Sequence, residues 1–444
     1  MTYWAINQTI KYHGANSGTI IADEYLGALN PQRGSELCMA VEMMYSMSYL
    51  YRLFGENSWA DQAELTAFNA LPAAISPDWW SHEYVTQMNQ PWAKRFENDH
   101  KPYFNTNPSA NSFGMDTNYV SSPALLNIST RLIQNKPCCT VNHVQGYPKF
   151  FQSSFVTKGS NTLVHQYLVP GKVTTKLGKS QLTVTCQTNY PFSNTLSYII
   201  DTTSPFTFSI RVPNWALNSS TISINRGPPS PFTRSPHNLH SIHISNRTTL
   251  ITVSLAIETR IVPRESNTVA IYRGPLLYAL SIAQNITSFP PLSFESANTQ
   301  PTDDEWTLYP LTQDYSIVPI PRTPGSVRTD NIWNIAIDPE QIIVHEEVHG
   351  LPNPLWDDET SPLWLDVAAT EIEWGLDQGT AAPPPEEKNV KMLGRPFWTK
   401  WVPYGGAKIH MGEVPRIKLE KLESVSIERV EEKGEGVDQR HVDL

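Results

Sequence analysis

The spacing of apolar residues changes near residue 155, and this change most constrains the fold. Between residues 38 and 71, apolar side chains recur every three or four positions, which is the period of an amphipathic helix. After residue 155 they alternate with polar side chains, as at Leu182, Val184 and Cys186, which is typical of half-buried strands. Short strands separated by Pro, Gly and Asn favour β-sandwiches. The sequence therefore predicts a multidomain α + β protein with a helical first part.

Two helices are expected between the first cysteine and residue 72. The first begins at Cys38 and ends at Gly55. The second opens at Ser58, which with an acid three residues later forms a variant of the capping box, and it ends before Pro72. A further short helix is expected over residues 122–133.

Composition restricts the partners that this chain can have. Its 444 residues carry a net charge of −10 with a pI near 5.7, so nucleic acid is excluded as a main partner. No apolar run of about 18 residues is present, and a membrane-spanning helix is not expected. The first residues, MTYWAINQTI, lack the layout of a signal peptide. The compartment stays open, and the sequence is compatible with an oligomer.

Three of the four cysteines stand in a pattern that suits a metal. Glu36 and Cys38 are two positions apart, so both can reach one ion only from an extended segment or a helix entrance. With Cys138 and Cys139 they form a Cys₃Glu set, which suits tetrahedral zinc. The spacing matches no common zinc-finger pattern, and buried, inert cysteines are the alternative. Cys186 is expected in the core of a strand.

Three stretches of the helical part stand out: SGTIIADEYLGALNPQRGSELCMAVEMMYSMSYLYRLFGE, AELTAFNALPA and KPCCTVNHVQGYPKF. Two stretches of the β part do so as well, FTFSIRVPNWA and VAIYRGPLLYAL. Together they resemble glycoside hydrolase family 127 and its close relatives, the β-L-arabinofuranosidases. The resemblance extends over about residues 1–290. It implies a glycosidase that acts on plant-type glycans.

The resemblance also implies a site and a mechanism. In that family an (α/α)₆ barrel carries a zinc ion bound by one Glu and three Cys, so Glu36, Cys38, Cys138 and Cys139 would bind zinc here. Cys138 would be the nucleophile that attacks the anomeric carbon. Glu24 would act as the acid and then the base of a retaining double displacement.

Further residues are candidates for the sugar pocket. Glu64, which is followed five positions later by Asn69, would contact sugar hydroxyls by the same resemblance. His13 and His143 are expected near the sugar together with Asn142, although ordinary structural hydrogen bonds are the alternative for each. Loop tryptophans that could stack on a sugar face, or simply pack, are Trp79, Trp80 and Trp92.

Domain boundaries follow from the change of pattern near residue 155 and the charged end of the chain, together with the resemblance. Residues 1–155 would form the C-terminal part of the barrel, 156–280 a β-sandwich, 281–425 a second β-rich domain and 426–444 a disordered tail. A complete barrel of about twelve helices takes on the order of 300 residues, so the chain resembles the second part of a longer enzyme. The apolar face of residues 43–54 is then expected to be exposed, and the activity of the chain by itself is an open question.

Three functions stay open at this point. The first is a zinc-dependent retaining hydrolase that releases L-arabinofuranose. The second is a non-catalytic carbohydrate-binding β-sandwich protein with a structural zinc site. The third is a structural or assembly protein whose cysteines are reduced and free of metal. Replacing Glu24 separates the first from the second, and a metal analysis identifies the third.

Overall fold

The structure of the chain is a computed structural model, which describes residues 2–94 except 24 and 80, residue 113, residues 137–289 except 236 and 246, and residues 314–321 and 331–423. Its helices lie before the first long strands. They are α1 (Thr2–His13), α2 (Leu37–Phe54), α3 (Asn57–Leu65), α4 (Leu71–Ala73), α5 (Pro137–His143) and α6 (Gly146–Gln152), with a π-helical turn over Thr66–Ala70 and 3₁₀ turns at Glu265–Asn267 and Glu387–Asn389.

Strands are the main secondary structure of the described residues after 155. In chain order the strands are β1 (Gly34–Glu36), β2 (Val85–Gln87), β3 (Asn89–Gln90), β4 (Phe155–Lys158), β5 (Thr162–His165), β6 (Gly171–Leu177), β7 (Ser180–Gln187), β8 (Thr195–Thr202), β9 (Phe206–Arg211), β10 (Thr221–Ile224), β11 (Ser230–Pro231), β12 (Leu239–Ile244), β13 (Thr248–Ser254), β14 (Thr259–Pro263), β15 (Thr268–Arg273), β16 (Leu276–Ser281), β17 (Gln284–Phe289), β18 (Asp314–Pro319), β19 (Ile335–Glu346), β20 (Leu363–Glu371), β21 (Leu376–Asp377), β22 (Thr380–Ala381), β23 (Phe397–Pro403), β24 (His410–Met411) and β25 (Val414–Pro415).

Three larger sheets contain most of these strands. One has the order β11-β10-β13-β8-β7-β6 and a second the order β12-β9-β5-β4, in which β5 and β9 are parallel. The third has the order β14-β15-β16-β23-β20-β19, with β24, β25 and β3 attached. Strand β3, which precedes α5 in the chain, therefore ties the helical part to the sheet that contains the last strands.

The described chain is mostly β with few helices and several sheets, which agrees with the predicted α + β class. The barrel, the sandwich arrangement and the domain boundaries stay predictions. Strands β15 and β16 begin before the expected boundary at 280, yet they pair with strands that lie far beyond it. In particular, β16 pairs with β23 over Leu280 and Trp401.

The helix α2 has nearly the predicted bounds. Gly55 adopts a left-handed conformation with φ of 70°, and its N–H donates to the carbonyl oxygen of Tyr51 at 2.8 Å. A residue without Cβ adopts this conformation at low cost, which is why glycine ends helices so often. The predicted stop signal at Gly55 is therefore confirmed.

The predicted start and end of the next helix are wrong. Glu56, not Ser58, occupies the N-cap, and no side-chain hydrogen bond caps the helix. Asn57 begins it, and its side chain donates instead to the carbonyl oxygen of Val212 at 2.8 Å, so a contact with the β part replaces local capping. At the other end the N–H of Leu71 donates five residues back within the π-helical turn, and helical structure continues past Pro72.

The buried core extends through the helices and the sheets. On α2 the side chains of Met43, Met44 and Met47 are buried, whereas Tyr45 and Tyr49 are 50% and 56% exposed. The expected exposure of this apolar face therefore holds for the tyrosines and not for the methionines.

None of the helices in the described ranges has the length and apolar character that crossing a membrane requires. The expected helix at 122–133 and the expected tail at 426–444 lie outside the described residues.

Candidate functional site

Three cysteines from two helices meet at one point. Cys38 lies in the first turn of α2, and Cys138 and Cys139 lie in the first turn of α5. The Sγ atoms of Cys38 and Cys139 are 3.3 Å apart, and those of Cys138 and Cys139 are 4.0 Å apart. All three sulfurs lie within 4.8 Å of one another. The structure therefore brings together the three cysteines that are predicted to bind metal.

The backbone around Tyr84 contacts both of these helices. Glu36 is the register partner of Val85 in the antiparallel pair of β1 and β2. At the start of α2, the N–H of Leu37 donates to the carbonyl oxygen of Tyr84 at 3.1 Å. The Sγ of Cys139 lies 3.9 Å from the same oxygen. One carbonyl group thus contacts both cysteine-bearing helices.

The three thiols have different surroundings. Cys139 is buried, Cys38 is partly buried and Cys138 is exposed. Hydrogen bonds from the thiols of Cys139 and Cys38 lower the pKa of Cys138. The hydrogen bond with Cys138 raises the pKa of Cys38, and hydrogen bonds together with burial raise the pKa of Cys139. Hydrogen bonds therefore link the three thiols, and Cys138 is the one most exposed to solvent.

Glu36 lies beside this cluster at the N-cap of α2. Its charge contributes to the raised pKa of Cys38, which stands two residues later. Among the described residues, the ligand atoms that lie within 4.8 Å of one another are the three sulfurs, without the Glu36 carboxylate. Glu36 also lines a small cavity with Ser17 and Thr19, where the buried Thr19 hydroxyl has no hydrogen-bond partner among the described residues.

The donor set fits a thiolate-binding metal ion. Soft sulfur ligands select zinc, copper(I) or iron–sulfur clusters over magnesium or calcium. Tetrahedral zinc with bonds of about 2.3 Å separates two sulfurs by about 3.8 Å. The sulfurs of Cys38, Cys138 and Cys139 already lie close to that spacing. Three positions of a tetrahedral site are thus present, and a carboxylate can supply the fourth.

Glu64 lies elsewhere, in a buried ion pair between α3 and the strands. Its Oε1 accepts the N–H of Leu168 at 3.1 Å, and its Oε2 accepts the hydroxyl of Tyr190 at 3.0 Å and pairs with Arg211. Arg211 also pairs with Asp61. Burial alone would lower the pKa of Arg211, but the carboxylates of Glu64 and Asp61 raise it. Because both oxygens of Glu64 are used in this way, the structure does not bring Glu64 to the cluster.

The two candidate histidines have different positions. His13 ends α1, and its Nδ1 accepts the N–H of Ala28 at 3.0 Å, which is a local structural contact. His143 ends the helix that carries the cysteine pair, and burial lowers its pKa. Its ring centroid lies 5.6 Å from that of His82 and 6.3 Å from that of Trp79. The structure therefore places His143, but not His13, on an element of the thiol cluster.

Other expected residues pack or lie outside the described ranges. Trp79 packs against Tyr147 with ring centroids 5.2 Å apart. The Nε1 of Trp92 donates to a backbone carbonyl group at 3.2 Å, which agrees with a packing role. Glu24, the expected acid and base, and Trp80 lie outside the residues that the structure describes.

Sequence reasoning did not single out His82, which is fully buried beside the cysteine helix. Its Nδ1 lies 3.2 Å from the carbonyl oxygen of Glu83, and its Nε2 lies 3.0 Å from the hydroxyl of Thr140. A carbonyl oxygen only accepts, so a neutral ring carries its proton on Nδ1 and accepts from Thr140 through Nε2. The only local signal is a histidine in a polar stretch, SHEYVTQ, and that pattern does not reveal its partner.

Two known protein domains match the chain in succession. Residues 14–152 match the catalytic domain of GH127 β-L-arabinofuranosidases, and residues 161–257 match the middle domain of the same family. The first match includes both segments that carry the thiol cluster. No curated protein sequence matches the chain.

Solved structures show the same fold at low sequence identity. A GH127 β-L-arabinofuranosidase from Geobacillus stearothermophilus T6 has a TM-score of 0.58 and 13% identity, over 93% of this chain and 56% of its own. A GH127 β-arabinofuranosidase has a TM-score of 0.57 and 15% identity, over 90% of this chain and 53% of its own. This chain thus spans about half the length of these relatives. The two domain matches cover more than half of its residues, and the chain belongs to glycoside hydrolase family 127.

Proposed function

We propose that this chain acts as a zinc-dependent retaining hydrolase, similar to β-L-arabinofuranosidases, which releases L-arabinofuranose from plant-type glycans. The observation that carries the proposal is the meeting of Cys38, Cys138 and Cys139 within the region that matches the catalytic domain. Membership of a glycoside hydrolase family supports a carbohydrate substrate. The partial (α/α)₆ barrel followed by β-sandwich domains belongs to the same proposal.

The proposed zinc ligands are Glu36, Cys38, Cys138 and Cys139. The spacing of the three sulfurs supports this set, and the carboxylate two residues before Cys38 would complete four donors. When bound, zinc keeps thiols deprotonated near neutral pH, which is the state that attacks carbon.

Cys138 is the proposed nucleophile because its side chain is the exposed one of the three. Its sulfur forms a bond to the anomeric carbon as the bond from that carbon to the leaving oxygen breaks. Glu24 gives its proton to the leaving oxygen in this step. In the second step Glu24 takes a proton from water, the water oxygen bonds to the anomeric carbon, and the Cys138 thiolate leaves. Two displacements at one carbon retain its configuration.

Of the residues predicted to bind the sugar, which are Glu64, His13 and His143, the structure of the site favours His143. The position of His143 on α5 supports a direct contact with the sugar. The ion pair with Arg211 supports a structural role for Glu64, which holds α3 against the strands rather than touching the sugar. The non-catalytic alternative, a carbohydrate-binding protein with a structural zinc site, is not favoured because a catalytic-domain match covers both cysteine segments.

The test is replacement of Glu24 in the full chain, with hydrolysis of an aryl β-L-arabinofuranoside and zinc content measured on the same preparation. We expect Glu24→Gln to retain its zinc and to lose activity by about 100-fold or more, as the removal of a general acid does. Glu42→Gln is the matched control, because Glu42 is an exposed glutamate on α2. Equal activity of the Glu24→Gln variant and the wild type, or a wild type without activity, would contradict the proposal.

A further inference from the structure

We propose that His82 is a positioning residue, which holds the cysteine pair of α5 against Cys38 through its hydrogen bond with Thr140. The catalytic meaning of this inference rests on the proposed function, because it concerns the residues that would bind metal and substrate. The contacts themselves are geometric and can be tested without metal or substrate. No motif of the thiol site includes His82.

The helix α5 needs such support because it is short. It contains seven residues, Pro137–His143. Helices of fewer than about 12 residues are marginal in water and depend on tertiary contacts. Thr140 directly follows Cys139 in this helix, and its hydroxyl lies 3.0 Å from Nε2 of His82. A contact at Thr140 therefore acts on the backbone that carries the buried thiol.

His82 is itself held firmly. Its side chain is fully buried, and its Nδ1 lies 3.2 Å from the carbonyl oxygen of Glu83. Its backbone forms an antiparallel bridge with Ile75, and the N–H of Glu83 donates to the carbonyl oxygen of Ala74 at 2.9 Å. The ring thus projects from a segment that is attached to the end of α4, and it offers Thr140 a fixed acceptor.

The same segment reaches the second cysteine helix two residues later. The carbonyl oxygen of Tyr84 accepts the N–H of Leu37 at 3.1 Å and lies 3.9 Å from the Sγ of Cys139. Residues 82–84 therefore contact α5 at Thr140 and Cys139 and contact α2 at its first residue. Loss of the Thr140 hydroxyl should let α5 move relative to α2 and separate the sulfurs of Cys38 and Cys139.

The test measures this separation by disulfide trapping in metal-free protein. In a Cys138→Ser background, chelator-treated chain is exposed to diamide, which oxidises the thiols of Cys38 and Cys139 to a disulfide. Diamide accepts their two electrons and two protons and becomes a hydrazine. Mass spectrometry of tryptic peptides follows the cross-link between residues 34–52 and the peptide with Cys139. We expect Thr140→Val to cross-link about tenfold more slowly, as the loss of one partly buried hydrogen bond predicts.

Two matched comparisons separate positioning from general destabilisation. Thr140→Ser keeps the hydroxyl and should cross-link at close to the parent rate. Thr399→Val also removes a threonine hydroxyl, which is buried and donates to the carbonyl oxygen of Val367 in the third sheet, and it should leave the rate unchanged. A purely structural role would lower the thermal midpoint of Thr140→Val and leave the cross-linking rate of the folded protein as it was.

A second pair of variants covers the case in which Thr140→Val does not fold. The amide oxygen of His82→Gln can accept from Thr140, so cross-linking should persist, whereas His82→Leu should slow it about tenfold. The inference is overturned if both members of a pair cross-link at the same rate, or if the parent forms no cross-link. Because the assay uses neither zinc nor sugar, these outcomes are independent of whether the chain is a hydrolase.

Discussion

The Sγ atoms of Cys38 and Cys139 lie 3.3 Å apart, although 101 positions separate the two residues in the chain. The carbonyl oxygen of Tyr84 contacts both helices that carry the thiols. The thiol cluster is thus a product of tertiary structure. Substitutions at the cluster, at the helix contacts and far from both should therefore have different effects, and each can be measured separately.

Replacing Cys139 should remove most of the metal affinity. Cys139→Ser replaces a buried thiol with a hydroxyl, which is a poor ligand for a soft ion, so we expect zinc to bind at least about tenfold more weakly. Cys186→Ser is the control, because Cys186 is buried in strand β7 with no place in the cluster. Competition with a chromophoric chelator measures both affinities. Equal affinities in the two variants would exclude Cys139 as a ligand.

The buried ion pair of Glu64 should matter for stability. Glu64→Gln leaves the charge of Arg211 without one of its two carboxylates, and breaking a buried pair in this way costs about 3 to 5 kcal/mol. Urea unfolding of the variant and of Glu42→Gln, which alters an exposed pair, measures the difference. If Glu64 instead contacts sugar, Glu64→Gln should raise KM with little loss of stability, and that result would contradict the structural role.

Lys408 should make stability depend on pH above neutrality. It is fully buried and donates to the carbonyl oxygens of Pro72 and Gly405 at 2.7 Å each. Burial lowers its pKa to about 7, whereas a lysine in the unfolded chain titrates near 10.4. Between these values the unfolded chain binds more protons. The stability that Lys408 contributes therefore rises with pH, by up to about 1.4 kcal/mol per pH unit.

The measurement for Lys408 is a comparison with Lys408→Met, which keeps the length of the side chain and removes the charge. Urea unfolding of both proteins at pH 7, 8.5 and 10 gives the difference in unfolding free energy. We expect the unfolding free energy of the wild type to rise relative to that of the variant across this range. A difference that stays constant from pH 7 to 10 would show that Lys408 is charged in the folded chain throughout.

The sequence predicts local structure here better than long-range contacts. The period of the apolar residues and Gly55 place α2, and the alternation around Val184 places β7, because both signals are local. The prediction that the cysteines meet depended mainly on the family resemblance, since their separation in sequence carries no distance information. The pairing of Glu64 with Arg211 joins residues 147 positions apart, and no spacing rule predicts it. The predicted N-cap at Ser58 is wrong for a related reason, because Asn57 begins the helix and its side chain makes a tertiary contact with the β part.

The most direct test of the account is the zinc content of purified chain that has never been supplied with metal, together with thiol titration of the same sample. We predict about one zinc per chain, with Cys38, Cys138 and Cys139 protected from a thiol reagent until a chelator is added. Protein without zinc, in which Cys38 and Cys138 react freely, would contradict the proposed metal centre and the mechanism that depends on it.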